Sequence, residues 1–266
     1  MRLGNCAMAA LGALLAAVVC VGMEGIDDFV EEVVISMAAV VMFTAAGNAL
    51  NDYFDRDTDK VAHPERPIPS GRMSPKVARS AAAAMFAVSF VLSVFVNVYS
   101  ILIVMSAILV MVYYERSLKA KGLSGNLAIS WLTGALFLFG GAAVDKLELA
   151  WILAALAFLA TLGREIVKDV QDIEGDRATR HTLPMRIGVR NAGIGASAAF
   201  VSAVALSPVP YLLDLLSEWY VPAVVVADAI FIYCALIHFR NPERGQKIAK
   251  LAMFVALLAF LLGGVF

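Results

Sequence analysis

Two ten-residue stretches carry the residues most able to do chemistry. Asn-Asp-Tyr-Phe-Asp-Arg-Asp-Thr-Asp-Lys at 51–60 aligns without gaps on Lys-Asp-Val-Gln-Asp-Ile-Glu-Gly-Asp-Arg at 168–177. Asp52, Asp55 and Asp59 fall on Asp169, Asp172 and Asp176, Lys60 falls on Arg177, and further on Pro67 falls on Pro184. With about 100° per residue in a helix, Asn51, Asp55 and Asp59 step by about 40° and share one face, with Asp52 at its border. Asp57 points away and is left out of the site. Glu165, Asp169, Asp172 and Asp176 fill a similar arc, though Gly175 interrupts it. Carboxylates crowded on one face repel each other and are costly beside hydrocarbon. A hard divalent cation resolves both problems, because Mg²⁺ takes carboxylate and amide oxygens together with phosphate oxygens. Mg²⁺ and phosphate binding is therefore expected, with Asn51, Asp52, Asp55, Asp59, Glu165, Asp169, Asp172 and Asp176 as candidate metal ligands. A solvated charged helix end would account for one such stretch but not for a duplicated one.

Cations interleave with these acids: Arg56, Lys60 and Arg66 by the first stretch, Arg164, Lys168, Arg177 and Arg180 by the second. A third segment adds Tyr113, Tyr114, Arg116, Lys119 and Lys121. Metals and cations together suit a phosphate-bearing ligand. The candidate substrate contacts are Asn51, Arg56, Lys60, Arg66, Tyr114, Lys119, Lys121, Arg164 and Lys168. Three prolines in His63-Pro64-Glu65-Arg66-Pro67-Ile68-Pro69-Ser70-Gly71-Arg72 predict an ordered, non-helical cover. His63 and His181 are candidate bases, against the plainer reading of solvated histidines.

These groups must be positioned by membrane-spanning helices. Of 266 residues 61% are hydrophobic and 16% charged, with mean hydropathy +0.81, too little charge to cover a soluble domain. Apolar runs of bilayer-spanning length recur at about 5–23, 30–50, 75–95, 98–114, 124–143, 148–168, 190–207, 219–238 and 248–266. The runs are continuous, which excludes a transmembrane β-barrel. The expected class is an all-α integral membrane protein, with nine transmembrane helices around a central cavity under cap loops. The first run lacks a basic leader beyond Arg2 and a cleavage site, and reads as a retained helix. Every Lys and Arg except Lys146 falls at the N-terminus or near the end of an even-numbered helix. By the positive-inside rule those ends are cytosolic, so both acidic stretches face the cytosol, and a cell-membrane location is expected. The repeat divides a single domain, 1–266, into halves of about 1–120 and 121–240 plus a last helix.

Other features carry less. Net charge is −1, and no nucleic-acid recognition element is present. Cys6, Cys20 and Cys234 lie inside apolar runs without metal-ligand spacing. Asp228, near the middle of the eighth run, is a functional candidate by its depth, weighed against a structural hydrogen bond to a neighbouring helix. Nothing in the sequence implies an obligate protein partner.

These residues resemble the UbiA-type intramembrane prenyltransferase superfamily, with N-D-x-x-D-x-x-x-D after the second helix and an aspartate motif after the sixth. Within it, Gly4-Asn5-Cys6, Arg66-Pro67-Ile68-Pro69-Ser70-Gly71, Leu132-Thr133-Gly134, Phe137 to Gly141, Gly163 to Asp169, Glu174-Gly175-Asp176, Thr182-Leu183-Pro184 and Leu206-Ser207-Pro208 are similar to the branch that builds archaeal ether lipids. His63 departs from the pattern before Pro64. The resemblance implies transfer of a geranylgeranyl group from geranylgeranyl diphosphate to the sn-2 hydroxyl of 3-O-geranylgeranylglyceryl phosphate, with two Mg²⁺ held by Asn51 and the aspartates of the two stretches. Asp52, Asp55, Asp59, Asp169, Asp172 and Asp176 are then the expected catalytic residues. An aromatic, quinone or chlorophyll-type acceptor is the nearest alternative. A CDP-alcohol phosphatidyltransferase is excluded by the absence of D-G-x-x-A-R. A transporter would place its charges at the midplane, where only Asp228 lies.

Overall fold

The computed structural model describes residues 3–176 and 181–266, and for Asp176 the backbone alone. The long helices are α1 (Leu3–Gly25), α2 (Val30–Phe54), α3 (Pro75–Val94), α4 (Val98–Tyr113), α5 (Leu123–Ala143), α6 (Leu147–Gln171), α7 (Val189–Leu206), α8 (Tyr220–Ile237) and α9 (Pro242–Val265). Among the described residues eight segments are long and apolar enough to cross a membrane. That is one fewer than the spans expected, because the first, Leu3–Phe54, runs through α1, a 3₁₀ turn at Ile26–Phe29 and α2 without a break in helical structure. The two helices nevertheless fold back on each other.

Several boundaries follow local capping chemistry rather than hydropathy. Ser74 accepts a bond from the Val77 N–H ahead of Pro75 at the start of α3, and Asn97 accepts from Ser100 at the start of α4. Asn241 caps α9 ahead of Pro242, with a Glu243–Lys247 pair of 2.6 Å in its first turns. So α9 begins before the apolar run expected at 248. Likewise α2 continues to Phe54 rather than stopping near residue 50, carrying Asn51 and Asp52 as its last polar turn.

Neighbours in sequence pack as neighbours in space, and α9 returns to α1, closing the bundle. α5 also packs on α1, and α6 on α9, across the interior. Apolar burial gives helices little drive to associate in lipid, so close packing of small residues does that work. At Gly140 an added Cβ would lie 2.8 Å from the Ala13 carbonyl, and at Gly134 2.9 Å from the Ala154 carbonyl. Gly163 lies against the Phe200 ring. α5 is thereby fixed between α1 and α6, and its first turn abuts Tyr114 and Leu118, just past the end of α4.

Candidate active site

α2 ends at Phe54, and Asp55 caps it at φ −84, ψ 1 before a short helix, Arg56–Ala62, begins. The single uninterrupted helix expected through Asn51, Asp55 and Asp59 is therefore corrected to two helices with a break at Asp55. The backbone bonds Asp55→Asn51, Asp59→Asp55 and His63→Asp59, all 2.8–2.9 Å, bridge that break. As a result Asp55 and Asp59 still line one polar cavity of about 340 Å³, with Thr58, Glu115, Arg116 and Lys119.

The carboxylates of this cavity are engaged by the protein's own cations. Lys119 Nζ donates to Asp55 Oδ2 at 2.6 Å and to Glu115 Oε2 at 3.2 Å. Asn51 Nδ2 donates to Asp55 Oδ2 at 3.0 Å and to both oxygens of Glu115 at 3.1 and 3.3 Å. Buried Asp59 takes the Arg66 guanidinium on both oxygens at 2.7 Å. This pair pins the proline-rich segment, whose turns are closed by Ser70→Arg66, Gly71→Ile68 and Met73→Pro67 backbone bonds. The segment is ordered as expected, and Arg66 is paired with Asp59. Asp52 is half-buried at the last turn of α2.

Around this core, Asp57 is exposed and bonded to Lys60 at 2.8 Å, which holds its carboxyl below the usual range. It lies outside the cavity lining, as does Lys60. Arg56 donates to the Tyr53 carbonyl at 2.8 Å and lies over the Tyr53 ring. Lys121 is exposed and bonds Ser117 at 3.0 Å. Tyr114 opens the π turn Tyr114–Leu118 that follows α4 and lies against Gly125. His63 faces Glu65 at the surface, and exposed His181 donates its backbone N–H to the Ala120 carbonyl at 2.9 Å.

The second acidic stretch repeats the geometry. α6 ends at Gln171, capped by Asp172 at φ −90, ψ 6. Asp169 accepts from Asn126 Nδ2 at 2.9 Å, Lys168 pairs with Asp172 at 3.6 Å, and Arg164 donates to its neighbour Glu165. The Asp176 side chain, Arg177 and Arg180 lie outside the described residues. The connector between α4 and α5 joins the two sides. Glu115 and Lys119 reach the first stretch, Ala120 bonds His181, and Gly122 (φ 63) abuts the backbone of 181–183.

The sequence reading missed Glu115 and Asn126. Glu115 stands four residues before Lys119, the spacing of a helical ion pair. Asn126 begins α5, but lone amides carry no signal. Among the described residues no three His, Cys, Asp or Glu side chains converge at metal-binding distance. The donor set still suits a hard cation. Asp55 and Glu115 share one ammonium, so their oxygens already gather about a positive charge.

Two apolar cavities lie within the bundle. One of about 320 Å³ is lined by Phe43, Met111, Leu136 and Phe139, and one of about 270 Å³ by Phe137, Leu156, Phe231 and Phe260. Thr133 of α5 borders both. Asp228 borders the smaller cavity and accepts from Ser207 Oγ at 2.6 Å, so it is tied to α7.

The family model described as UbiA prenyltransferase family matches residues 8–258. A digeranylgeranylglyceryl phosphate synthase from Methanothermobacter thermautotrophicus is 39% identical over 267 residues, covering 97% of this chain and 92% of that protein. A solved structure of a digeranylgeranylglyceryl phosphate synthase superposes with TM-score 0.92 at 31% identity, covering 99% of this chain and 95% of the other. A UbiA homologue from Archaeoglobus fulgidus, solved bound to GPP and Mg²⁺, shares the fold with TM-score 0.65 at 16% identity, covering 97% and 96%.

Proposed function

The chain belongs to the UbiA prenyltransferase family, and we propose that it transfers the geranylgeranyl group of geranylgeranyl diphosphate to the sn-2 hydroxyl of 3-O-geranylgeranylglyceryl phosphate, releasing diphosphate. The product is the diether core of archaeal membrane lipids. The observation that carries this reading is the 39% identity, over 97% of the chain, with a synthase named for that product.

Asn51, Asp52, Asp55 and Asp59 would hold one Mg²⁺; Glu165, Asp169, Asp172 and Asp176 would hold a second. When bound, the cation supplies charge neutralisation to the departing diphosphate. Lys119 and Arg116 line the same polar cavity and add charge-assisted hydrogen bonds to phosphate oxygens. Fixed donors of this kind stabilise developing negative charge without reorganising during the reaction. The allylic C–O bond breaks with its electron pair leaving on diphosphate. The acceptor oxygen forms the new ether bond at that carbon and releases its proton. Asn126 holds Asp169, and Arg66 ties the proline-rich cover over Asp59. The apolar cavities on either side of Thr133 supply dry surface for isoprenoid chains and keep water from the cationic carbon.

The chain is a multi-pass membrane protein. Its distribution of Lys and Arg supports a cytosolic N-terminus and cytosolic acidic stretches, in the cell membrane. The aligned stretches support two related halves within one domain. The test is purified protein with radiolabelled geranylgeranyl diphosphate, offered the glyceryl-ether phosphate and aromatic acceptors side by side. Label in the diether phosphate is expected; label in an aromatic product alone would reject the acceptor.

A further inference from the structure

Glu115 lies outside both acidic stretches, yet its side chain is 5% exposed and is bonded by two of the site's donors. Asn51 Nδ2 reaches both its oxygens and also Asp55; Lys119 Nζ reaches Glu115 Oε2 and also Asp55 Oδ2. Two carboxylates thus share one amide and one ammonium. The contacts are unequal, since Lys119 is 2.6 Å from Asp55 and 3.2 Å from Glu115. A divalent cation that takes Asp55 removes the shorter of these. An ammonium has three N–H donors, so one bond to Glu115 leaves two for the polar cavity whose wall Lys119 forms.

We propose that Glu115 is a positioning residue that acts through Lys119: it retains the ammonium at the cavity wall when metal draws Asp55 away. The same lysine is then counter-ion to the empty site and phosphate ligand in the loaded one. The proposal rests on the diphosphate reading of the site. It runs against simple charge arithmetic, because a carboxylate beside a diphosphate repels it. Removing that charge should tighten binding if Glu115 only contributes to the field. It should weaken binding if Glu115 places Lys119.

The sign of the effect is the test. Full-length protein in detergent, with saturating Mg²⁺, is titrated with geranylgeranyl S-thiolodiphosphate, whose C–S bond resists ionisation. Glu115→Gln keeps the side-chain length and an acceptor for Asn51 and removes the charge. It is expected to weaken binding roughly tenfold, the loss of about one charge-assisted hydrogen bond. In a Lys119→Met background the same substitution is expected to change affinity less than about twofold, since nothing remains to position. Tighter binding by Glu115→Gln, or an equal loss in both backgrounds, overturns the proposal. If Glu115→Gln fails to fold, Glu115→Asp shortens the reach at constant charge and should weaken binding in the same Lys119-dependent way. Failure of the wild-type protein to bind the analogue would instead reject the diphosphate reading itself.

Discussion

Asp55 and Asp172 end helices of equal length in nearly the same conformation. Each caps a 25-residue helix, at φ −84, ψ 1 and φ −90, ψ 6, and each donates its backbone N–H four residues back, to Asn51 and to Lys168. The C-terminal end of a helix carries partial negative charge, so a carboxylate there is disfavoured unless a cation lies beside it. Lys119 meets that need at Asp55, and Lys168 at Asp172. Two acids thus sit at electrostatically poor positions, each beside a cation, as the proposed metal sites require.

Asp55→Ala and Asp172→Ala are each expected to lower kcat by at least about a hundredfold, the scale of losing one electrostatic stabiliser of the leaving group. Thermal midpoints should stay close to wild type, because both side chains are only half-buried. Asp57→Ala should change turnover less than about twofold, since Asp57 faces solvent and pairs with Lys60. Steady-state rates for the three variants decide it, and an equal loss at Asp57 would place the site elsewhere.

Chelation with EDTA is expected to abolish transfer, and added Mg²⁺ to restore it, because Asp55, Asp59 and Glu115 otherwise repel an incoming diphosphate. Undiminished activity in metal-free buffer would remove the role assigned to these oxygens. Binding of Mn²⁺, followed by its electron paramagnetic resonance signal, should fall in Asp55→Ala and Asp172→Ala alike.

Gly134→Leu is expected to destabilise the bundle by about 1–3 kcal/mol, the usual cost of overpacking. A Cβ there would already meet the Ala154 carbonyl of α6 at 2.9 Å. Gly195→Leu, with nothing within 4 Å of its added Cβ, is the control. Thermal unfolding in detergent should separate the two, and similar midpoints would show that α5 and α6 do not depend on this contact.

The acidic stretches, their offset and the membrane-spanning class were legible because each leaves a periodic or compositional trace. Length and apolarity disclose a span, and a repeated Asp spacing discloses a face. What escaped depends on contacts across the fold. Glu115, an acid among Arg116, Lys119 and Lys121, looks like part of a solvated loop until α2 is seen to bring Asn51 against it. The Arg66–Asp59 pair shows only once the turns of 63–73 bring that guanidinium back to the carboxylate. The break at Asp55 left no mark either, since a helix cap changes one residue's dihedrals and no residue type there demands it.

The proposed acceptor carries a phosphate, and the connector between α4 and α5 is where the prediction about its recognition is sharpest. Among the described residues the Lys121 side chain bonds a serine hydroxyl at the exposed edge of that connector, whereas Lys119 is tied to Asp55. Lys121→Gln should therefore raise the KM for the glyceryl-ether phosphate and leave the donor KM unchanged. Lys119→Gln should raise both, because Lys119 pairs with Asp55 in the cavity proposed to take the donor's diphosphate. One lost charge-assisted hydrogen bond is worth about 1.5–3 kcal/mol, or roughly one to two decades in apparent affinity. Replacing the acceptor's phosphate by a hydroxyl should reproduce the Lys121→Gln defect in the wild-type enzyme and add little to it in the variant. Initial rates with both substrates varied give the two KM values separately. If phosphorylated and dephosphorylated acceptors react equally well, these cations do not read the acceptor and an aromatic substrate becomes the better assignment.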